Sequence, residues 1–287
     1  MSVHKTSYRP YSGPLTPARW RFLILPRYAW QHVFSSRLLV AFFAGCFAFP
    51  AGLAVAIYLR HNLGALAVMQ ISAKDLPAIS ANIYLHFMAF QATLAFLLTA
   101  FVAPGLIAAD LANNGLPLYL SRPFSRGEYV LGKMWVLLGL QSLITWVPGL
   151  LLILLQGSLE GGDWFWQHWR YPFAVFFGFW IWILLVSLVG LALSAWVKWR
   201  LAAAALLLGV FFVTAGFGAA INGILETKWG DLLILVEQFR TVWLWLFGLP
   251  IPDTRTPITS AWAVLIGVCV LCLELLGRKL RAYEVVK

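Results

Sequence analysis

The sequence predicts an all-α integral membrane protein. It has six transmembrane helices, a cytoplasmic N-terminal interfacial helix and an outside helical segment between spans five and six. Three observations carry this. Hydrophobic residues make up 61% of the 287 positions and charged residues 11%, against about 45–50% and about 25% in soluble domains. Six stretches approach or exceed the roughly 20 apolar residues that a membrane helix needs. The basic residues gather on alternate sides of those stretches, as the positive-inside rule requires.

The spans are read at Leu38–Leu59, Ile83–Ile107, Val130–Leu155, Pro172–Val197, Leu201–Ile224 and Ser260–Leu276. Only Lys198, Trp199 and Arg200 separate the fourth from the fifth, so these two form a tight hairpin. Residues 1–37 lack the short apolar core and small-residue cleavage site of a secretory signal, so the run from Leu38 is read as a retained span. With six spans both termini share a side. Segments 1–37, 108–133, 198–200 and 277–287 then hold 15 of the 21 Lys and Arg residues, and the segments between hold 6. Seven of the eleven acids fall on the poorly basic side. Both termini are therefore expected in the cytoplasm, with residues 38–276 as the membrane domain and 277–287 as a tail.

Two segments are amphipathic rather than spanning. In Pro26–Arg37, Arg27, Gln31 and Ser35 recur every fourth residue, with Trp30, Val33 and Phe34 opposite. This pattern predicts an interfacial elbow helix. On the outside, within 225–259, Leu232, Val236, Phe239, Trp243 and Leu246 follow helical spacing, while Asp231, Gln238 and Thr241 fall away from them. That helix is expected to dip into the outer leaflet or to cap the bundle. A seventh full span is disfavoured by the cost of Asp231, Glu237 and Arg240 in hydrocarbon.

The loop between spans two and three, residues 108–133, carries the most information. Asn113-Asn114-Gly115 is a turn signal. Leu116, Pro117, Leu118, Tyr119, Leu120 and Ser121 read as a short helix with proline in its first turn, broken by Arg122 and Pro123. Ser125 and Glu128 have capping-box spacing at the start of span three. A loop rarely exposes four large apolar groups without a partner. Leu118, Tyr119, Leu120 and Phe124 are thus candidate anchors for a soluble protein, with Arg122 and Arg126 setting register. Glu128 has the alternative role of capping its helix, and Lys133 that of snorkelling to the phosphate layer.

The stretch "LPLYLSRPFSRGEYVLGK", Leu116–Lys133, resembles the loop between spans two and three of ABC-2 type transporter permeases. In that family an acidic residue ends span two, a coupling helix follows, and a P-[IF]-S-R-x-E-[YF]-[LIV]-x-G-K segment opens span three. Asp110 stands where many relatives have Glu. The elbow helix, six spans and outside helical segment extend the likeness over most of the chain. The resemblance implies a permease subunit in a bacterial plasma (inner) membrane, paired with a second permease copy and surrounded by membrane lipids. A separate ABC ATPase subunit would dock on the loop, and ATP and Mg would bind there. It also implies export of a lipid-like or hydrophobic substrate. This chain has no G-x-x-x-x-G-K-[ST] phosphate loop, and 287 residues are too few for a membrane domain plus a full nucleotide-binding domain. No cofactor, catalytic residue or metal is expected in it, and nucleic acid is a poor partner for basic residues scattered between apolar runs.

Other polar positions have plainer readings. Glu274, the only acid inside a span, lies four residues before Arg278 and is expected to pair with it. His86 is expected to hydrogen-bond near the outer end of span two. Pro148-Gly149 is expected to bend span three, as a hinge or a static kink. Small residues four apart in span one (Ala41, Gly45; Ala48, Gly52) and span five (Ala215, Ala219, Gly223) suit close helix approach at a subunit interface. Cys269 and Cys272 have C-x-x-C spacing inside an apolar helix, without a second pair or a nearby His to support a metal. Glu160, Asp163 and His168 sit among Trp164, Phe165, Trp166 and Trp169, which an interfacial aromatic belt explains. An integral membrane lipid-modifying enzyme, or an ABC-like module that does not transport, remain the competing functions.

Overall fold

Six helices are long and apolar enough to cross a membrane: Arg37–His61, Ala81–Ala112, Arg126–Glu160, Arg170–Trp196, Arg200–Leu225 and Ile258–Arg281. The computed structural model describes residues 17–62, 79–113, 125–197 and 199–281, with isolated positions at 13, 64, 66, 68, 70, 72 and 115. Among the described residues there is no strand. Spans two, three and four form the core, with 67%, 61% and 72% of their most apolar windows buried, against 17% for spans one, five and six. The end of the bundle near Asn113 and Ser125 is called here the elbow end, and the opposite end the far end.

Several spans outrun their expected limits. The sixth helix continues to Arg281, so residues 277–281 belong to it and not to a separate tail. The ladder of backbone hydrogen bonds costs little to continue through Arg278, Lys279 and Arg281, whose charges favour a helix C-terminus. Glu274 pairs with Arg278 across one turn as expected. At the other end of the chain the elbow helix is Ile24–Ser35, and Arg37 already opens span one. The Ser36 hydroxyl caps span one by accepting from the Leu39 N–H.

Spans one and three are each made of two pieces. Span one breaks between Gly45 and Ala48. Span three breaks at Thr145, whose φ of −114° and ψ of −94° leave the helical region. Proline explains both places. A proline has no N–H for the carbonyl four residues earlier. Pro50 therefore orphans the Cys46 carbonyl and Pro148 orphans that of Ile144. Gln91, fully buried on span two, answers both. Its Nε2 donates to the Cys46 carbonyl at 3.0 Å and to the Ile144 carbonyl at 2.6 Å. The bend expected at Pro148-Gly149 is thus a capped break in which Gly149 lets Val175 and Phe87 approach.

Span two carries its own proline, Pro104, within one helix. One turn later the Ser194 hydroxyl of span four enters the ladder. It accepts from the Ala108 N–H at 3.0 Å and donates to the Pro104 carbonyl at 3.3 Å. Nearby, Gly190 lets span four approach until an added Cβ would lie 3.0 Å from both Ala103 and Thr99. A second cross-link, Gln141 Nε2 to Ser187 Oγ at 2.9 Å, ties span three to span four. Polar side chains in a bilayer must find partners within the protein, and here they join the three central spans.

At the far end the segment after span five folds back into the bundle. A 3₁₀ turn, Trp229–Leu233, packs Gly230 against Gly218, seven residues inside the end of span five. Helix Leu235–Phe247 then climbs antiparallel to span four. Phe239 meets Trp182 at 4.7 Å between ring centroids, Trp243 donates to the Gly178 carbonyl at 3.1 Å, and Phe247 meets Tyr171 at 5.5 Å. Trp182 lies twelve residues, about 18 Å, inside the far end of span four at Arg170. The segment therefore re-enters the bundle between the spans. Its buried face differs from the expected one. Leu235, Gln238, Phe239, Thr241, Val242 and Trp243 are buried, while Val236 is 47% exposed. Gln238 turns inward because it finds partners, donating to the Asp231 carbonyl and accepting from the Thr256 hydroxyl at 3.3 Å. Asn222 donates to Asp231 at 2.7 Å, and Glu237 pairs with Arg255.

The small residues expected at an interface leave open space. A Cβ added at Gly45, Gly52 or Gly223 meets nothing within 4 Å, and the same holds at Gly209 and Gly216, which the spacing did not single out.

Gln91→Leu keeps the volume and removes the shared donor. It is expected to lower stability by about 1–3 kcal/mol, read as an earlier thermal unfolding midpoint in detergent. Adding Pro148→Ala returns an N–H within reach of the Ile144 carbonyl and should recover part of the loss. Equal stability of Gln91→Leu and the natural chain would show that the two breaks do not need this cap.

Candidate functional site

The two roots of the loop between spans two and three are held together by one carboxylate. Span two reaches Ala112, so Asp110 projects from its last turn. Span three begins at Arg126, and Tyr129 and Lys133 lie one turn apart on its buried side. The Tyr129 hydroxyl donates to Asp110 Oδ2 at 2.7 Å, and Lys133 Nζ reaches the same oxygen at 2.8 Å. Tyr129 is fully buried and Lys133 is 8% exposed. The ammonium also sits 5.5 Å from the centroid of the Tyr129 ring. Lys133 thus does not run out to the phosphate layer. A carboxylate near the end of a helix offers it charge and a hydrogen bond at closer range, which offsets its desolvation.

Ser125 and Glu128 complete the root as a reciprocal cap. The Glu128 N–H donates to Ser125 Oγ at 3.2 Å, and the Ser125 N–H donates to Glu128 Oε2 at 2.6 Å. Glu128 therefore serves the helix start. Arg126 is the first residue of that helix and is half-buried. Leu116, Pro117, Leu118, Tyr119, Leu120, Arg122, Pro123 and Phe124 lie outside the described residues. Of the expected docking set, then, Asp110 and Lys133 come together, Glu128 caps, and Arg126 adjoins. Tyr129 belongs with them although only its aromatic character within the loop pattern marked it in the sequence.

The elbow helix leans on the same root. Span three presents Gly132, Val136 and Gly139 on one face. An added Cβ at Gly132 would strike the Phe22 carbonyl and Leu25, and one at Gly139 would strike Trp30. Trp30 donates its indole N–H to the Val136 carbonyl at 3.1 Å. Phe34, expected on the inner face, is 42% exposed and meets Phe43 of span one edge-on at 5.5 Å. Trp20, Ile24 and Tyr28 form an exposed apolar stripe at four-residue spacing, which suits a surface of lipid. Between the elbow helix and spans one, two and five lies a cavity of about 720 Å³, with Lys133 and Arg200 on its wall. The Arg200 guanidinium rests on Gly105 of span two, where any side chain would displace it.

Three of the other singled-out polar groups have local partners. His86 Nδ1 lies 2.6 Å from the Asn82 carbonyl. Glu160 pairs with His61 at 3.1 Å, and His168 stacks on Trp164 at 4.6 Å. Among the described residues no three His, Cys, Asp or Glu side chains gather as a metal site. The Asp110 oxygen already takes two donors. The arrangement therefore ties the end of span two to the start of span three.

No protein-family model and no curated protein matches this chain.

Asp110→Ala leaves Lys133 with its main countercharge removed. Expected destabilisation is about 3–5 kcal/mol, the range for breaking a buried pair from one side. The double variant Asp110→Asn, Lys133→Met should recover much of it. A thermal melt series over the double-mutant cycle checks this. Additive single effects would mean that the two groups do not act as a pair.

Proposed function

We propose that this chain is the permease subunit of an ATP-binding-cassette transporter of the ABC-2 type. The observation that carries the reading is the loop pattern from Leu116 to Lys133 mounted on a rigid root. A docking segment can pass force into the membrane helices only if its ends cannot give way. Asp110, Tyr129 and Lys133 supply that stiffness through two charge-assisted bonds on one oxygen. The capping box fixes where span three begins. The elbow helix, seated on Gly132 and Gly139, links the root to the membrane surface.

On this reading the elbow end faces the cytoplasm and both termini lie there. A separate ATPase subunit binds Leu118, Tyr119, Leu120 and Phe124, with Arg122 and Arg126 fixing its register. ATP and Mg bind on that subunit. A second permease copy packs against the thin outer spans one and five, whose glycines leave room for a neighbouring backbone. The substrate is a lipid-like or hydrophobic molecule moved outward. The host membrane is the bacterial inner membrane.

Affinity purification of the tagged chain from its native membranes in a mild detergent tests this directly. The expected companion is a stoichiometric soluble ATPase with a phosphate-binding loop. Tyr119→Ala with Phe124→Ala should abolish at least nine-tenths of the ATPase stimulation by the permease, with membrane insertion unchanged. Recovery of the chain alone, under conditions that preserve a known complex of this class, would overturn the reading. A reporter active only in the cytoplasm, fused after Ser121 and after Asp253, should work at the first site and fail at the second.

A further inference from the structure

The re-entrant helix Leu235–Phe247 brings an arginine deep into the far end of the bundle. Trp243 bonds the Gly178 carbonyl, eight residues or about 12 Å inside the end of span four. Arg240 lies almost one turn further in. Two arginines lie here, one on the helix and one beyond its end, and only one is matched. Arg255 pairs with Glu237. Arg240 is exposed and has no carboxylate partner among the described residues. A charge at such depth is costly unless an anion meets it.

Arg240 lines a cavity of about 470 Å³ between the re-entrant helix and span two, and the Glu237–Arg255 ion pair lines it too, its opposite charges offsetting each other and leaving Arg240 as the net positive charge. Span two contributes Asn82, His86 and Thr93, four and then seven residues apart, so all three share one face. Leu85, Ala89, Val236 and Leu244 make much of the remaining wall, and Trp182 and Trp243 back it. Trp182 is almost wholly buried, and its indole N–H has no acceptor. His86 gives its Nδ1 to the Asn82 carbonyl. A carbonyl only accepts, so Nδ1 carries the proton, and Nε2 of the neutral ring is an acceptor for a hydroxyl.

We infer that this cavity binds a singly anionic phospholipid of the far-end leaflet. Its phosphodiester would meet Arg240, and a headgroup hydroxyl would meet His86. The apolar wall decides against a free aqueous anion, because a lipid brings its own tail to cover Leu85, Val236 and Leu244 and already resides at this depth. One unmatched cation favours one negative charge. The inference is independent of what binds the loop at the elbow end, and it stands or falls separately from the transporter reading.

The test is native mass spectrometry of the full chain, released from detergent with equimolar phosphatidylglycerol and phosphatidylcholine of the same acyl chains. Retention of phosphatidylglycerol about tenfold over phosphatidylcholine is expected. Arg240→Gln should bring the two to parity. Arg240→Lys should keep most of the preference, which separates charge from folding. Lys279→Gln, at the opposite end of the bundle, should change nothing. Ala89→Trp, filling the cavity from an exposed position, should remove the preference without touching a charge. Equal retention of both lipids by the natural chain, or a preference that survives Arg240→Gln, overturns the proposal. So does displacement of the lipid by millimolar inorganic phosphate, which would make the site one for a free anion.

Discussion

One amide nitrogen closes two wounds in the membrane domain. Pro50 and Pro148 each leave a carbonyl without its helical donor, in a region where no bulk water can replace it. Gln91 Nε2 donates to both. Spans one and three can therefore break with both freed carbonyls still accepting a hydrogen bond, and span two, which bears Gln91, is held between them. Ser194 makes a second tie one turn beyond Pro104, where its hydroxyl enters the ladder between the Ala108 N–H and the Pro104 carbonyl and joins span two to span four. The prolines that would weaken isolated helices become the points where helices are joined.

From this centre the two ends of the bundle are built on different principles. The elbow end is fixed by charge, with Asp110 receiving Tyr129 and Lys133 on a single oxygen. It is also fixed by close approach, because Gly132 and Gly139 admit the elbow helix. The far end is fixed by a polar seam around the re-entrant segment, from Asn222 through Asp231 to Gln238 and Thr256. Aromatic packing of Phe239 and Trp243 on Trp182 covers that seam. Both ends are thus tied to the same central spans, so displacement at one has a continuous packed route to the other. That route is a physical path; coupling along it is what the proposed function requires.

Spans one, five and six stand apart from this core. Their most apolar windows are largely exposed, and seven of their glycines face open space. Lipid covers such surfaces without penalty, and so does a second copy, because small residues let backbones pack at short range. The contrast between a dense three-helix core and thin outer helices gives the proposed dimer a place to form without disturbing Gln91 or Asp110.

Much of this was legible in the residues themselves. The six spans follow from the length of the apolar runs, the elbow helix from its period, the Ser125–Glu128 cap from spacing, and the Glu274–Arg278 pair from one helical turn. These are local features, set by neighbours within four residues or by the thickness of a bilayer. The tertiary structure decided what depended on partners far along the chain. Gln91 carries no local sign of its role, because its acceptors are 45 and 53 residues away. Lys133 could be placed on an ion pair only once Asp110 stood beside it, 23 residues earlier in sequence. Gln238 and Thr241 read as outward-facing because they are polar, yet they are buried where hydrogen bonds are available. A pattern of polarity records what a residue needs, and only the packed chain shows where that need is met.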